Sequence, residues 1–323
     1  MRSPKLTPAM RALLEAMEAQ GAPPLEQMSV PDARASALQG LALAGDPEPV
    51  AHVSEQLIPV RGGEAGVRIY RPGGDGPFPG LVYFHGGGWV ICDLDTHDPL
   101  CRAIANRAGA VVVSVDYRRA PEHTFPTALD DCHEATRWVA AHAAALGIDP
   151  DRLAVGGDSA GANMAAVIAV RCRDAGGPPL ALQVLVYPPT DLTSFDTPSY
   201  REFGHDHFLT IEATRWFVAQ YLARPEDARH PEASPAFIEN LRGLPRALVI
   251  TAECDPLCDE SEAFGRRLEA AGVPVTISRY PGVIHAFLGM LGAVAEARQA
   301  VDEIAAAVRA MPAGGRMRRP ATE

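Results

Sequence analysis

From residue 80 onward, apolar runs of strand length alternate with stretches of helical pattern. This rhythm restricts the folds open to the chain more than any other feature. The runs are Gly80 to Phe84, Ala110 to Val115, Leu153 to Gly156, Leu182 to Tyr187, Ala247 to Thr251 and Val275 to Tyr280. Apolar strands spaced by helices imply a mostly parallel sheet with helices on both faces. Two earlier strands are expected, Val53 to Val60 and Gly66 to Tyr70, divided by the turn chemistry of Arg61-Gly62-Gly63-Glu64.

The rhythm is absent in two places. Thr7 to Gln20 suits an amphipathic helix, with Thr7 as N-cap and Met10, Leu13, Leu14 and Met17 at helical spacing. A second helix is predicted from Val30 or Pro31 to Ala44. Between Pro188 and Arg246 the alternation lapses into a helix from Ile211 to Ala223 and a proline-rich segment through Pro231 and Pro235. That stretch reads as an insertion on the C-terminal edge of the sheet, where sites of α/β proteins form. A last helix is expected from Val294 to Met311, with a frayed tail beyond it.

A chain of 323 residues fits one large α/β domain with an appendage, or two domains. Its 40 acidic against 29 basic residues, a formal charge of −11, argue against nucleic acid as a partner. The six cysteines lack paired spacing, and Cys254 with Cys258 forms a single C-x3-C with no second pair to complete a zinc site. Buried free thiols in a reducing compartment follow. Met1 to Leu6 lacks the apolar stretch of a leader, and no apolar run reaches membrane-spanning length, so a soluble, cytoplasmic protein is expected.

The strand Leu153 to Gly156 runs directly into Gly157-Asp158-Ser159-Ala160-Gly161, and a helix-prone stretch follows to Ala175. A G-x-S-x-G between strand and helix is a nucleophile elbow: its glycines allow a sharp turn that leaves the serine hydroxyl proud of the sheet. A serine hydroxyl is a poor nucleophile until a base takes its proton, and the base needs an orienting acid. In this architecture the chain order is serine, acid, histidine. Asp255 follows the strand Ala247 to Thr251, and His285 follows the strand Val275 to Tyr280, one β-α unit later. Asp259, Glu253 and Glu260 remain competing acids, with Asp259, one helical turn on, the foremost.

Acyl transfer also needs donors for a developing oxyanion. His85-Gly86-Gly87-Gly88-Trp89 follows the strand Gly80 to Phe84, and its bare backbone N–H groups suit that task. It lacks the spacing of a phosphate-cradling loop. Gly204-His205-Asp206-His207 has no further ligands at metal-binding spacing and reads as an exposed loop. Asp116-Tyr117-Arg118-Arg119-Ala120-Pro121-Glu122 reads as loop bracing through ion pairs.

These motifs resemble those of the bacterial hormone-sensitive-lipase-like (family IV) carboxylesterases of the α/β-hydrolase superfamily. The matching residues are His85-Gly86-Gly87-Gly88-Trp89, Asp116-Tyr117-Arg118 with Ala120-Pro121-Glu122, and Gly156 to Asn163. Asp255-Pro256-Leu257 with Asp259, and His285-Ala286-Phe287, complete the set, and Asp158 is similar to the GDSAG subgroup. The resemblance spans roughly residues 50 to 310. It implies an eight-stranded, mostly parallel sheet flanked by helices, with a helical cap. The expected division is 1–48 and 191–243 for the cap, 49–190 and 244–312 for the core, and 313–323 for a flexible tail.

The resemblance further implies Ser159 as nucleophile, Asp255 and His285 as its partners, and the N–H groups of Gly87, Gly88 and Ala160 as the oxyanion hole. It implies esters of short to medium acyl chains as substrates and no cofactor or metal. Trp89, Tyr187, Phe208 and Ile284 are candidate pocket residues from their positions beside motifs or in the insertion. The expected partner is a small-molecule ester, with no nucleic acid and no membrane insertion, and a homodimer is the candidate assembly. Amidase, lactonase or thioesterase chemistry, and a non-catalytic receptor on the same fold, are the alternatives.

Overall fold

The computed structural model describes residues 2–312, so the expected tail at 313–323 lies outside the described residues. Eight strands form one sheet in the order β1-β2-β4-β3-β5-β6-β7-β8. They are β1 (His52–Val60), β2 (Gly63–Arg71), β3 (Phe78–Phe84), β4 (Val111–Asp116), β5 (Ile148–Asp158), β6 (Leu182–Val186), β7 (Arg246–Cys254) and β8 (Val275–Ile284). Only β1 with β2 and β2 with β4 pair antiparallel; β3 to β8 run parallel.

The helices are α1 (Pro8–Ala19), α2 (Val30–Gln39), α3 (Leu41–Ala44), α4 (Asp98–Ala108), α5 (Thr127–Ala141), α6 (Ala143–Leu146), α7 (Ala160–Asp174), α8 (Pro198–Phe203), α9 (Ile211–Tyr221), α10 (Cys258–Ala270) and α11 (Ala295–Arg309). Thr7 caps α1 by accepting the Met10 N–H, as its spacing suggests. The single helix expected from Val30 to Ala44 is instead two, because the chain turns at Gly40, whose N–H bonds back to the Ala37 carbonyl.

Each sheet face buries its own apolar cluster, since successive strand residues point to opposite sides. Val82, Phe84, Val113, Val115 and Val155 pack on one side with Leu129 of α5, Val167 of α7 and Phe264 of α10. Leu81, Tyr83, Val112 and Ala154 face the other side with Ile104 of α4, Ile304 of α11 and Met10 of α1. Fully burying a Leu, Ile or Phe contributes roughly 1.5–3 kcal/mol, so these two layers carry the fold.

The segment Asp116 to Glu122 braces loops as its composition suggests. Arg118 pairs with the buried Asp131 at 2.7 Å, and Arg34 of α2 reaches Glu122 at 2.7 Å. All six cysteines are free thiols, five of them buried and Cys92 half-buried. Among the described residues, no helix is long and apolar enough to cross a membrane.

Candidate active site

Ser159 sits between β5 and α7 with φ 52° and ψ −121°, a left-handed backbone that a non-glycine residue rarely holds. Its N–H donates to the Val186 carbonyl at 2.9 Å, and its own carbonyl accepts the Asn163 N–H at 3.0 Å. The two glycines of the elbow are needed for space. A β-carbon on Gly157 would lie 2.3 Å from the Phe84 carbonyl oxygen, and one on Gly161 would lie 1.9 Å from the same atom. The turn is therefore wedged against the end of β3, where the glycine-rich loop begins.

Asp255 and His285 each follow directly on a strand, β7 and β8 respectively, at the same edge of the sheet as Ser159. The strands β5 to β8 are consecutive neighbours, so three sequence-distant loops converge. Asp255 Oδ2 accepts from His285 Nδ1 at 2.7 Å, and His285 Nε2 lies 2.9 Å from Ser159 Oγ. The second oxygen of Asp255 accepts the Leu257 N–H at 2.9 Å, which fixes the carboxylate. Asp255 is fully buried and His285 nearly so, while Ser159 is partly exposed.

The competing acids are engaged elsewhere. Asp259 Oδ2 accepts the Ser199 N–H at 2.9 Å and ties α10 to α8. Glu253 accepts the Gly282 N–H at 2.9 Å. Glu260 Oε1 accepts the Thr190 N–H at 2.5 Å, and burial pushes its carboxyl well above the usual carboxylate range.

Gly87 and Gly88 both take positive φ, 106° and 57°. Among the described residues, the N–H groups of Gly87, Gly88 and Ala160 have no acceptor. Bare donors at the end of β3 and the start of α7 can receive an anionic oxygen.

The four pocket candidates separate. Tyr187, buried and at φ 39°, lays its ring 4.6 Å from that of His285. Trp89 is buried and stacks on Tyr221 of α9 at 4.2 Å with the rings 5° from parallel. Ile284 is fully buried in the apolar cluster with Val283, Phe287 and Leu288. It pairs with Cys254 across β7 and β8, directly before His285. Phe208 stands 44% exposed on the loop beyond α8. In that loop His207 Nδ1 donates to the His205 carbonyl at 2.6 Å, and Nε2 accepts the Ser3 N–H at 3.0 Å. Both ring nitrogens are thus used by backbone groups, and the histidine pair ties the insertion to the N-terminal segment.

Sequence reasoning missed Phe217 of α9, whose ring abuts Gly88, and the contacts of the motif residue Asn163, whose amide donates to the carbonyls of Pro189 and Ala233 at 2.9 and 3.0 Å. It also missed the partners of Asp158. The aromatic residues of Ile211 to Ala223 were visible, but nothing local states what they touch.

A family profile described as "alpha/beta hydrolase fold" matches residues 81–289. The carboxylic ester hydrolase LipN of Mycobacterium tuberculosis is 42% identical over 82% of this chain and 72% of its own length. The ethyl acetate hydrolase of Pseudomonas putida is 38% identical over 94% of this chain and 98% of its own. Among solved structures, a hyperthermophilic esterase from the archaeon Pyrobaculum calidifontis superposes with a TM-score of 0.90 at 44% identity, covering 96% of this chain and 99% of that one. A thermostable esterase from Pseudomonas putida gives 0.92 at 41% identity over the same shares. An eight-stranded sheet of this topology and sequence identity of this extent lead to one conclusion: the chain belongs to the α/β-hydrolase fold family, among its carboxylic ester hydrolases.

Proposed function

We propose that ester hydrolysis by this chain proceeds through an acyl-serine on Ser159. The observation that carries this reading is the unbroken hydrogen-bond chain from Asp255 through His285 to Ser159, at 2.7 and 2.9 Å. His285 Nε2 takes the Ser159 proton as Oγ attacks the ester carbonyl, while Asp255 holds the imidazole by its Nδ1–H and favours the imidazolium that forms. The oxyanion rests on the N–H groups of Gly87, Gly88 and Ala160. Collapse expels the alcohol, protonated by His285. Water, deprotonated by the same nitrogen, then releases the acid and restores the serine.

The preferred acyl chains are short to medium, butyrate to octanoate. Support comes from the crowding of the glycine loop by Phe217 and Tyr221, and from a relative named for ethyl acetate. Residues 1–48 and 191–243 act as the cap over a core of 49–190 and 244–312, and the GDSAG elbow points to the hormone-sensitive-lipase-like branch. No metal or cofactor takes part, and the six free thiols suit the cytoplasm. The test is pre-steady-state hydrolysis of p-nitrophenyl butyrate. A nitrophenolate burst, an acyl mass on the Ser159 peptide and loss of both in Ser159→Ala are expected. Undiminished turnover in Ser159→Ala would refute the acyl-serine. An acyl series from acetate to palmitate tests the chain-length reading, which an optimum at palmitate would overturn.

A further inference from the structure

The residue before the nucleophile, Asp158, is more completely engaged than its place in a turn requires. Its side chain is buried, and a single oxygen, Oδ1, gathers three partners. Tyr83 Oη donates to it at 2.8 Å, the Gly86 N–H donates at 3.1 Å, and His97 Nε2 lies 3.1 Å away. These partners come from β3, from the glycine loop and from the residue preceding α4. His97 is itself held, with Nδ1 3.0 Å from Thr96 Oγ1, and the Thr96 hydroxyl in turn donates to the Asp93 carbonyl at 2.8 Å.

The glycine at 86 fits this arrangement. A β-carbon there would lie 2.4 Å from Asp158 Oδ2 and 3.0 Å from the Asp158 carbonyl oxygen, so the carboxylate occupies the space any side chain would need. Burial alone would raise the Asp158 carboxyl. His97 and Tyr83 outweigh it and hold the group below the usual carboxylate range, so an ionised acceptor faces the Gly86 N–H. Charge-assisted hydrogen bonds of this kind are about twice as strong as neutral ones.

We infer that Asp158 is a positioning residue which, braced by Tyr83 and His97, fixes the glycine loop against the nucleophile elbow so that the N–H groups of Gly87 and Gly88 face Ser159. The inference rests on the oxyanion-hole reading above. The connection is short. Asp158 adjoins Ser159, and Gly86 adjoins Gly87, so one carboxylate sets the spacing between the attacking oxygen and the oxyanion donors. A donor displaced by about 1 Å can cost on the order of 100-fold in rate, because only preorganised dipoles stabilise the developing charge without reorganising.

The test compares Asp158→Ala and Asp158→Asn in steady-state hydrolysis of p-nitrophenyl acetate and in inhibition by an aryl trifluoromethyl ketone, whose adduct with Ser159 carries an oxyanion. Asp158→Ala should lower kcat by at least about 100-fold, the scale of losing an oxyanion donor, with KM changed less than about three-fold. The inhibition constant should rise in step with the loss of kcat/KM. Asp158→Asn keeps an acceptor for Gly86 and should recover at least about ten-fold of the loss in kcat. The far-downfield proton NMR signal of His285 Nδ1–H should persist in both variants, since the Asp255–His285 pair is untouched.

Near-wild-type kcat in Asp158→Ala would overturn the proposal, and so would disappearance of the His285 signal together with activity, which would mark general collapse of the site. Should Asp158→Ala fail to fold, Tyr83→Phe and His97→Ala each remove one brace and should lower kcat about ten-fold at unchanged KM, and wild-type turnover in both would overturn it. An active Ser159→Ala would instead strike at the acyl-serine reading. An inactive Ser159→Ala beside a fully active Asp158→Ala would strike at this proposal alone.

Discussion

Phe217 of α9 lies directly over Gly88, so closely that a β-carbon on the glycine would sit 2.2 Å from Phe217 Cδ1. Tyr221, one turn further along α9, stacks on the next loop residue, Trp89, at 4.2 Å. Helix α9 thus rests on the loop whose Gly87 and Gly88 N–H groups we propose as oxyanion donors.

Gly88→Ala should therefore lower kcat for p-nitrophenyl butyrate by at least about 100-fold, through displaced oxyanion donors. Alanine at the positive φ of Gly88 adds a backbone cost of about 1–2 kcal/mol. Phe217→Ala should fold, keep turnover of butyrate, and move the acyl optimum toward longer chains. Full activity in Gly88→Ala, read by steady-state kinetics, would separate the loop from the chemistry.

Asp255→Asn should cost about 10³–10⁴-fold in kcat, by analogy with other triads in which the wrong imidazole tautomer results. Asp259→Asn should stay within a few-fold of wild type, because its carboxylate serves the Ser199 N–H and not His285. Reversed severities in a side-by-side assay would rename the acid.

The buried His85 gives a pH prediction. Burial, then the nearby His97, push its pKa down from 6.5 to about 3, against the pull of the Gly86 carbonyl that accepts from Nδ1. Between those values the unfolded chain binds a proton that the folded chain refuses. The neutral ring is thus compatible with full stability above pH 6.5, and stability is lost as pH falls toward 3. The loss reaches roughly 5 kcal/mol at the acid end, at about 1.4 kcal/mol per pH unit between the two values. Urea midpoints measured from neutral pH downward should fall less steeply in His85→Gln. Parallel slopes would assign the acid sensitivity to other groups, such as His133 and His207, which burial also lowers.

The N-terminal segment supports the loop that carries His285. The Thr7 N–H donates to the Gly282 carbonyl at 3.0 Å, and a β-carbon on Gly282 would lie 2.8 Å from the Lys5 carbonyl oxygen. Removing residues 1–45 should uncover apolar surface, detectable by dye binding, and reduce kcat at least about ten-fold by loosening a positioned base. A truncated chain that stayed soluble with an unchanged acyl-length profile would place this segment outside the site.

Dialysis against EDTA should leave ester hydrolysis unchanged. Both nitrogens of His207 are committed to backbone groups, and a serine with a base and backbone donors is chemically complete. Activity that vanished with chelator and returned with zinc would demand another mechanism.

The sequence by itself determined the elements and the residues available for chemistry. Strand rhythm located β3 to β8, and the elbow located Ser159, because both are written in consecutive residues: alternating side-chain direction in one case, two glycines at a strand-to-helix turn in the other. Chain order with the family resemblance named His285 and Asp255, with Asp259, Glu253 and Glu260 as competing acids. That Asp255 bonds His285 while Asp259 bonds the Ser199 N–H is visible only in the structure, since the two carboxylates are four residues apart and differ in where β7 and α10 aim them. The burial of Ile284 was likewise decided by what packs against it. The physical reason is range. His285 reaches Ser159 across 126 positions and Gly86 reaches Asp158 across 72, and no local pattern encodes such contacts. They arise when sheet register and helix packing fix the relative positions of loops that share no neighbouring sequence.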